Sequence, residues 1–115
     1  MNLKTYKKEN NLIVVIKGEI DHHTAESVRE KIDDDYFKYR CKNIVFDFKK
    51  VSLMDSSGIG MVIGRYKKVK FSGGKVIVAE ANETVKKIFE MSGLNKIIDF
   101  YKDLETAICV LGGTN

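Results

Sequence analysis

The chain has 115 residues, 43% of them hydrophobic and 31% charged, which fits one compact domain with an ordinary core and a well-solvated surface. The net charge is +4, but the pairs Lys7-Lys8, Lys49-Lys50, Lys67-Lys68 and Lys86-Lys87 are scattered rather than gathered with aromatics, so no nucleic-acid-binding stripe is expected. No apolar run approaches the roughly 18 residues of a membrane span, and the opening MNLKTYKKENN lacks the apolar middle of a signal peptide; a cytoplasmic protein with no membrane partner is expected.

Leu3 to Lys7 is a candidate edge strand, turning through Glu9-Asn10-Asn11 into a continuous apolar run, Leu12 to Ile16. A helical stripe of Ala25, Val28, Ile32 and Tyr36 follows, then a second apolar run, Ile44 to Phe48. Ile59, Val62, Ile63, Tyr66 and Val69 form the next stripe, and Val76 to Ala79 the next strand. Val85, Ile88 and Phe89 lie between Asn82, a good N-cap, and Gly93, a C-cap. A weaker strand is predicted at Ile97 to Phe100, before a helix capped by Asp103 and carrying Leu104, Ala107, Ile108 and Leu111. The order β-β-α-β-α-β-α-β-α predicts a single α/β domain over residues 1–115. Its sheet is mostly parallel, with four or five strands, right-handed crossovers and about four helices. Cys41 and Cys109 fit no metal spacing and read as buried reduced thiols.

Loops at the carboxyl ends of parallel strands are where such folds place their sites. Two of them stand out: Glu19-Ile20-Asp21-His22-His23-Thr24 and Asp55-Ser56-Ser57-Gly58. If their strands are neighbours, about 4.8 Å apart, the two loops form one surface. Ser56 and Ser57 do not make a hydrolase elbow, because G-x-S-x-G would need glycines where Met54 or Asp55 stands. Gly58-x-Gly60-x-x-x-Gly64 with Glu80 approaches a dinucleotide fingerprint, but the spacing is wrong and Asp55 would repel a pyrophosphate. Gly60 and Gly64 then read as a close approach of helix to sheet. His22-His23 has no third ligand suitably spaced for a metal, and Asp21 reads equally well as a helix cap. What remains is a serine that receives something. Ser56 has no base of its own, but a kinase supplies one from outside. Phosphate there would add about −1.5 to −2 charge beside Asp55, and the helix start would accommodate it.

GEIDHHTAE (18–26), LMDSSGIG (53–60), GRYKKVK (64–70) and VKKIFEMSGLNKII (85–98) closely resemble the STAS domain family. Within it they are similar to the anti-sigma factor antagonists of endospore-forming bacteria, over nearly the whole chain and in register. Ile20 and Ile59 stand where leucine is as readily expected. The resemblance implies a β-α superhelix with helices mainly on one face. It implies a binding protein, not an enzyme, without cofactor or metal and monomeric when free. In that family the unmodified protein binds an anti-sigma factor that is also an ATP-dependent serine kinase, releasing the sporulation sigma factor F. The kinase phosphorylates the first serine of DSSG, here Ser56, and a serine phosphatase restores it. Carried over, Asp21, His22, Asp55, Ser57, Gly58, Ile59 and Gly60 are the expected partner-binding residues, with Ser57 also a helix cap. Two alternatives stay open: a nucleotide-binding or hydrolytic domain using the Gly58–Gly64 helix start, and a STAS domain of another regulatory circuit.

Overall fold

The computed structural model describes residues 2–112. The chain runs β1 (Leu3–Lys8), β2 (Asn11–Ile20), α1 (His22–Lys38), β3 (Asn43–Met54), α2 (Ser56–Phe71), β4 (Val76–Ala79), α3 (Glu83–Ser92), a 3-10 turn (Leu94–Lys96), β5 (Phe100–Tyr101) and α4 (Leu104–Val110). The strands form one sheet in sequential order. β1 is antiparallel to β2, and every other pair is parallel. This is the mostly parallel α/β sheet with four helices that the alternation of apolar runs and helical stripes predicts.

The runs are apolar throughout because both faces of the sheet are covered. Leu12, Val14, Ile16, Ile44, Phe46, Phe48, Val76 and Val78 pack beneath Ala25, Val28 and Ile32 of α1, Val62 and Val69 of α2, and Val85 and Phe89 of α3. The alternate residues Ile13, Val45, Ile77 and Ala79 pack against Ala107 and Ile108 of α4. Three helices therefore share one face and the last takes the other. A chain of aromatic contacts, Phe46–Phe48 at 5.3 Å, Phe48–Phe89 at 6.3 Å and Phe89–Phe100 at 5.0 Å between centroids, ties α3 to the sheet.

Several expectations are corrected. The last strand begins at Phe100, not Ile97. Gly93 closes α3 in the left-handed region, and a 3-10 turn comes next, in which Ile97 N–H donates to Leu94 O. That turn leaves Ile97 exposed while Ile98 reaches the core. Cys41 is buried, but Cys109 is exposed on α4, whose inner face is formed by Ala107 and Ile108. Gly60 and Gly64 meet nothing where a Cβ would stand. Close approach instead requires a glycine at Gly74, where a Cβ would lie 1.8 Å from Lys42 O.

β3 continues past its last pairing with β4, Asp47 with Ala79, as far as Met54. Its free edge is held by a side chain. Asn82 Nδ2 donates to Val51 O at 3.0 Å while its Oδ1 accepts from Val85 N–H at 2.8 Å, capping α3. Asn82→Ala loses the cap and the bridge together, so stability should fall by about 2 kcal/mol in urea unfolding. Asn82→Ser, which keeps a cap alone, should lose about half of that.

Candidate functional site

β2 and β3 end level with each other. Ile20 pairs with Met54, and Asp55 N–H donates to Ile20 O at 3.2 Å. Each strand then passes through an aspartate into a helix. Asp21 Oδ1 accepts from the N–H groups of His23 at 2.9 Å and Thr24 at 3.0 Å. Asp55 Oδ1 accepts from Ser57 N–H at 2.8 Å and Gly58 N–H at 3.3 Å. The two loops form a doubled corner: two extended aspartates capping the adjacent helices α1 and α2, with His22 and Ser56 as the first helical residues.

The α1 corner is the more tightly bonded, because Thr24 Oγ1 in turn accepts from Asp21 N–H at 2.9 Å, completing a capping box. The Thr24 backbone N–H, helped by the Thr24 hydroxyl and the His23 backbone, holds the Asp21 carboxyl below the ordinary carboxylate range against the opposing effect of desolvation. His22 and His23 are both exposed, their rings edge to face at 6.0 Å. Among the described residues no group of three or more His, Cys, Asp or Glu is placed to hold a metal ion.

Ser56 is exposed and Ser57 half-buried. None of the side-chain hydrogen bonds of the described residues involves the Ser56 hydroxyl, and its neighbour's carboxylate faces the backbone of the next turn. Ser57 is not the cap expected of it. Asp55 occupies that position, and Ser57 supplies one of the N–H groups that Asp55 binds. Gly58 and Ile59 are buried and Gly60 is exposed, so the first two shape the corner from beneath. A Cβ on Gly58 would stand 3.0 Å from Met54 Cβ, 3.1 Å from Ile20 Cγ2 and 3.3 Å from Ile20 O. This glycine lets the first turn of α2 sit directly on the ends of both strands.

A dinucleotide reading requires free N–H groups at the helix start and a close approach at the second glycine. Here Asp55 already takes the N–H groups of Ser57 and Gly58, and Gly60 faces open space. Two residues at this end of the sheet escape pattern reading. Leu53, 42% exposed, is an apolar side chain on the surface beside the corner. Glu80, at the end of β4, has φ 61, a left-handed conformation uncommon for a side chain of its kind.

The STAS domain family profile matches residues 2–107. The chain belongs to the STAS domain family. An anti-sigma F factor antagonist of Paenibacillus polymyxa is 38% identical over 113 residues, covering 96% of this chain and 97% of the relative. An anti-sigma-B factor antagonist of Bacillus subtilis is 34% identical over 99 residues, covering 86% of this chain and 89% of the relative. Among solved structures, the Bacillus cell fate determinant SpoIIAA in its phosphorylated form matches with a TM-score of 0.74 at 29% identity, over 94% of this chain and 98% of that one. Within the STAS family this chain is thus of the anti-sigma factor antagonist type, and its sheet order and helix placement are those of that fold.

The corner's geometry leads to two expected outcomes. Gly58→Ala should lower the melting temperature, although alanine favours helices by about 1 kcal/mol over glycine, because the backbone carbonyl of Ile20 cannot yield to the added methyl. The depressed Asp21 carboxyl contributes stability that is present above its unfolded pKa of about 3.9 and lost as pH falls through the lower folded value. Asp21→Asn, which keeps a cap but not the charge, should therefore lower the melting temperature modestly at pH 7 and flatten its fall below pH 4, so that variant and wild type converge in acid.

Proposed function

We propose that this protein is a phosphorylation-switched antagonist of an anti-sigma factor, with Ser56 as the switch residue. In this reading the unmodified domain binds an anti-sigma factor that is also an ATP-dependent serine kinase, which frees the sporulation sigma factor F. The kinase phosphorylates Ser56, the partner is released, and a serine phosphatase resets the domain. The reading rests on one observation above all: an exposed, unpartnered hydroxyl at the first position of a helix, with no imidazole or amine of its own bonded to it. Such a serine is poorly built as a nucleophile and well placed as an acceptor, since a kinase brings its own carboxylate to take the hydroxyl proton. The names of the relatives and the phosphorylated state of the SpoIIAA structure support the same reading.

The roles divide by exposure. Ser56, Gly60 and His22 present themselves to a partner directly, and Asp21 and Ser57 are half-buried at the rim. Asp21 keeps one carboxylate oxygen outside its cap bonds and is suited to a basic group on the partner. Asp55, itself exposed, caps the turn through the N–H groups of Ser57 and Gly58, and the buried Gly58 and Ile59 hold the corner in shape. Phosphate at Ser56 adds about −1.5 to −2 charge beside two carboxylates, and like charges juxtaposed at an interface cost up to several kcal/mol.

A second reading has its own support. The similarity to an anti-sigma-B factor antagonist fits the same switch in a circuit that serves a different sigma factor. One experiment addresses both readings: incubation with ATP and the anti-sigma kinase of either circuit, then mass-spectrometric mapping. Wild type should gain one phosphate on Ser56. Ser56→Ala should gain none yet bind the partner as tightly as wild type, and Ser56→Asp should bind at least several-fold more weakly. Phosphate on Ser57, or equal affinity of wild type and Ser56→Asp, would refute the assignment. The circuit is read from which kinase reacts.

A further inference from the structure

The end of the α1–α2 pair farthest from Ser56 carries an apolar and basic surface that the switch does not use. α2 spans 16 residues, so Phe71 lies about 22 Å along the helix from Ser56. Phe71 is 94% exposed and Phe37, near the end of α1, is 86% exposed. Both line one groove of about 490 Å³ together with Ile44 and Val69. Lys67 lines the same groove with Lys68, whose Nζ is held by Asp33 Oδ2 at 3.0 Å, and Lys38 and Arg40 stand exposed where α1 ends. The buried Arg65 in the groove wall is already opposed by Asp33 at 2.9 Å.

We propose that this face docks onto an anionic lipid surface, with Phe37 and Phe71 entering the headgroup boundary and the surrounding lysines and arginine against lipid phosphates. The layering carries the argument. Apolar side chains occupy the centre and cations the margin, the order in which a bilayer presents acyl chains and charged headgroups. Asp33 is the carboxylate in the groove's lining against Arg65, Lys67 and Lys68, so the lining is net positive and suits an anionic surface. No helix of the described residues is long and apolar enough to cross a membrane, so the contact is peripheral, and it revises the expectation of a protein without membrane partners. Docking at this end leaves the Ser56 corner directed away from the lipid. The inference is independent of the Ser56 switch.

Co-sedimentation tests it with vesicles of phosphatidylcholine alone and of equal parts phosphatidylglycerol and phosphatidylcholine. Wild type should bind the phosphatidylglycerol vesicles, release from them at high salt, and ignore phosphatidylcholine. Phe37→Ser/Phe71→Ser and Lys38→Ala/Lys67→Ala should each weaken binding by roughly five-fold or more with unchanged melting temperatures, since the four side chains are outside the core. Absence of binding to phosphatidylglycerol vesicles would overturn the proposal and leave an acidic protein as the occupant. Binding that is indifferent to the phenylalanines would overturn it as general charge attraction. Concentration-dependent self-association abolished by the phenylalanine variant, without vesicle binding, would assign the face to a second copy of the chain.

Discussion

The hydrogen bond from Asp55 N–H to Ile20 O, closing the β2–β3 ladder at Ile20 and Met54, is the constraint on which the corner depends. It sets two helix starts side by side and on a level. The level is not inherited from the beginning of the strands. The pairing offset is 32 residues at Asn11–Asn43 and 34 at Ile20–Met54, because the register shifts twice, between Val15 and Lys17 and between Gly18 and Glu19. β3 thus carries two extra residues, absorbed as bulges. Such irregularities bend and twist a strand and re-aim the residues at its end. With neither bulge, Asp55 would lie two residues out of step with Asp21, and the two loops would not form one surface.

The two aspartates act in the same way at the two starts. Each satisfies N–H groups that a helix leaves without partners, and each places negative charge where the helix dipole favours it. The consequence is a rigid platform on which His22 and Ser56 occupy equivalent positions. Gly58 completes it by bringing the first turn of α2 against Ile20 and Met54. A hydroxyl on such a platform has a fixed place while remaining open to solvent, which is what an enzyme acting on it from outside needs.

Much of this was legible in the sequence, and the exceptions have physical causes. Apolar runs and helical stripes revealed the succession of strands and helices along the chain and the sheet type, because burial on both faces writes itself as continuous apolar sequence. The ends of β2 and β3 were not legible. Lys17, Gly18 and Glu19, and Lys49, Lys50 and Ser52, look like loop, yet they belong to strands that pair beyond the point where β4 stops. The 3-10 turn at Leu94–Lys96 hid the start of β5, since Ile97 and Ile98 read as one run but face opposite environments. The glycines misled for a related reason. Spacing pointed to Gly60 and Gly64, whereas close approach is decided by tertiary neighbours and falls at Gly58 and Gly74. At the corner, both cap positions could be foreseen as chemistry, but which of Asp55 and Ser57 caps α2 depended on where the strand let go.

The helix pair is also fixed at its other end. Arg65 on α2 is buried, its Nε 2.9 Å from Asp33 Oδ1 on α1, while Lys68 Nζ reaches Asp33 Oδ2 at 3.0 Å. Burial lowers the Arg65 pKa and the Asp33 charge opposes that fall, and neither Nε nor Nη1 makes a well-aligned hydrogen bond. Such a pair is weak evidence for stability, because desolvation offsets the attraction, but breaking it leaves a buried charge uncompensated. Its effect is to couple the registers of α1 and α2. Locked by Asp33 and Arg65 at one end and by the Ile20–Met54 ladder at the other, the two helices have little freedom to move relative to each other. A charge added at Ser56 then has no soft element to displace. In the proposed switch such a charge would alter the surface that a partner meets and leave the fold beneath it unchanged.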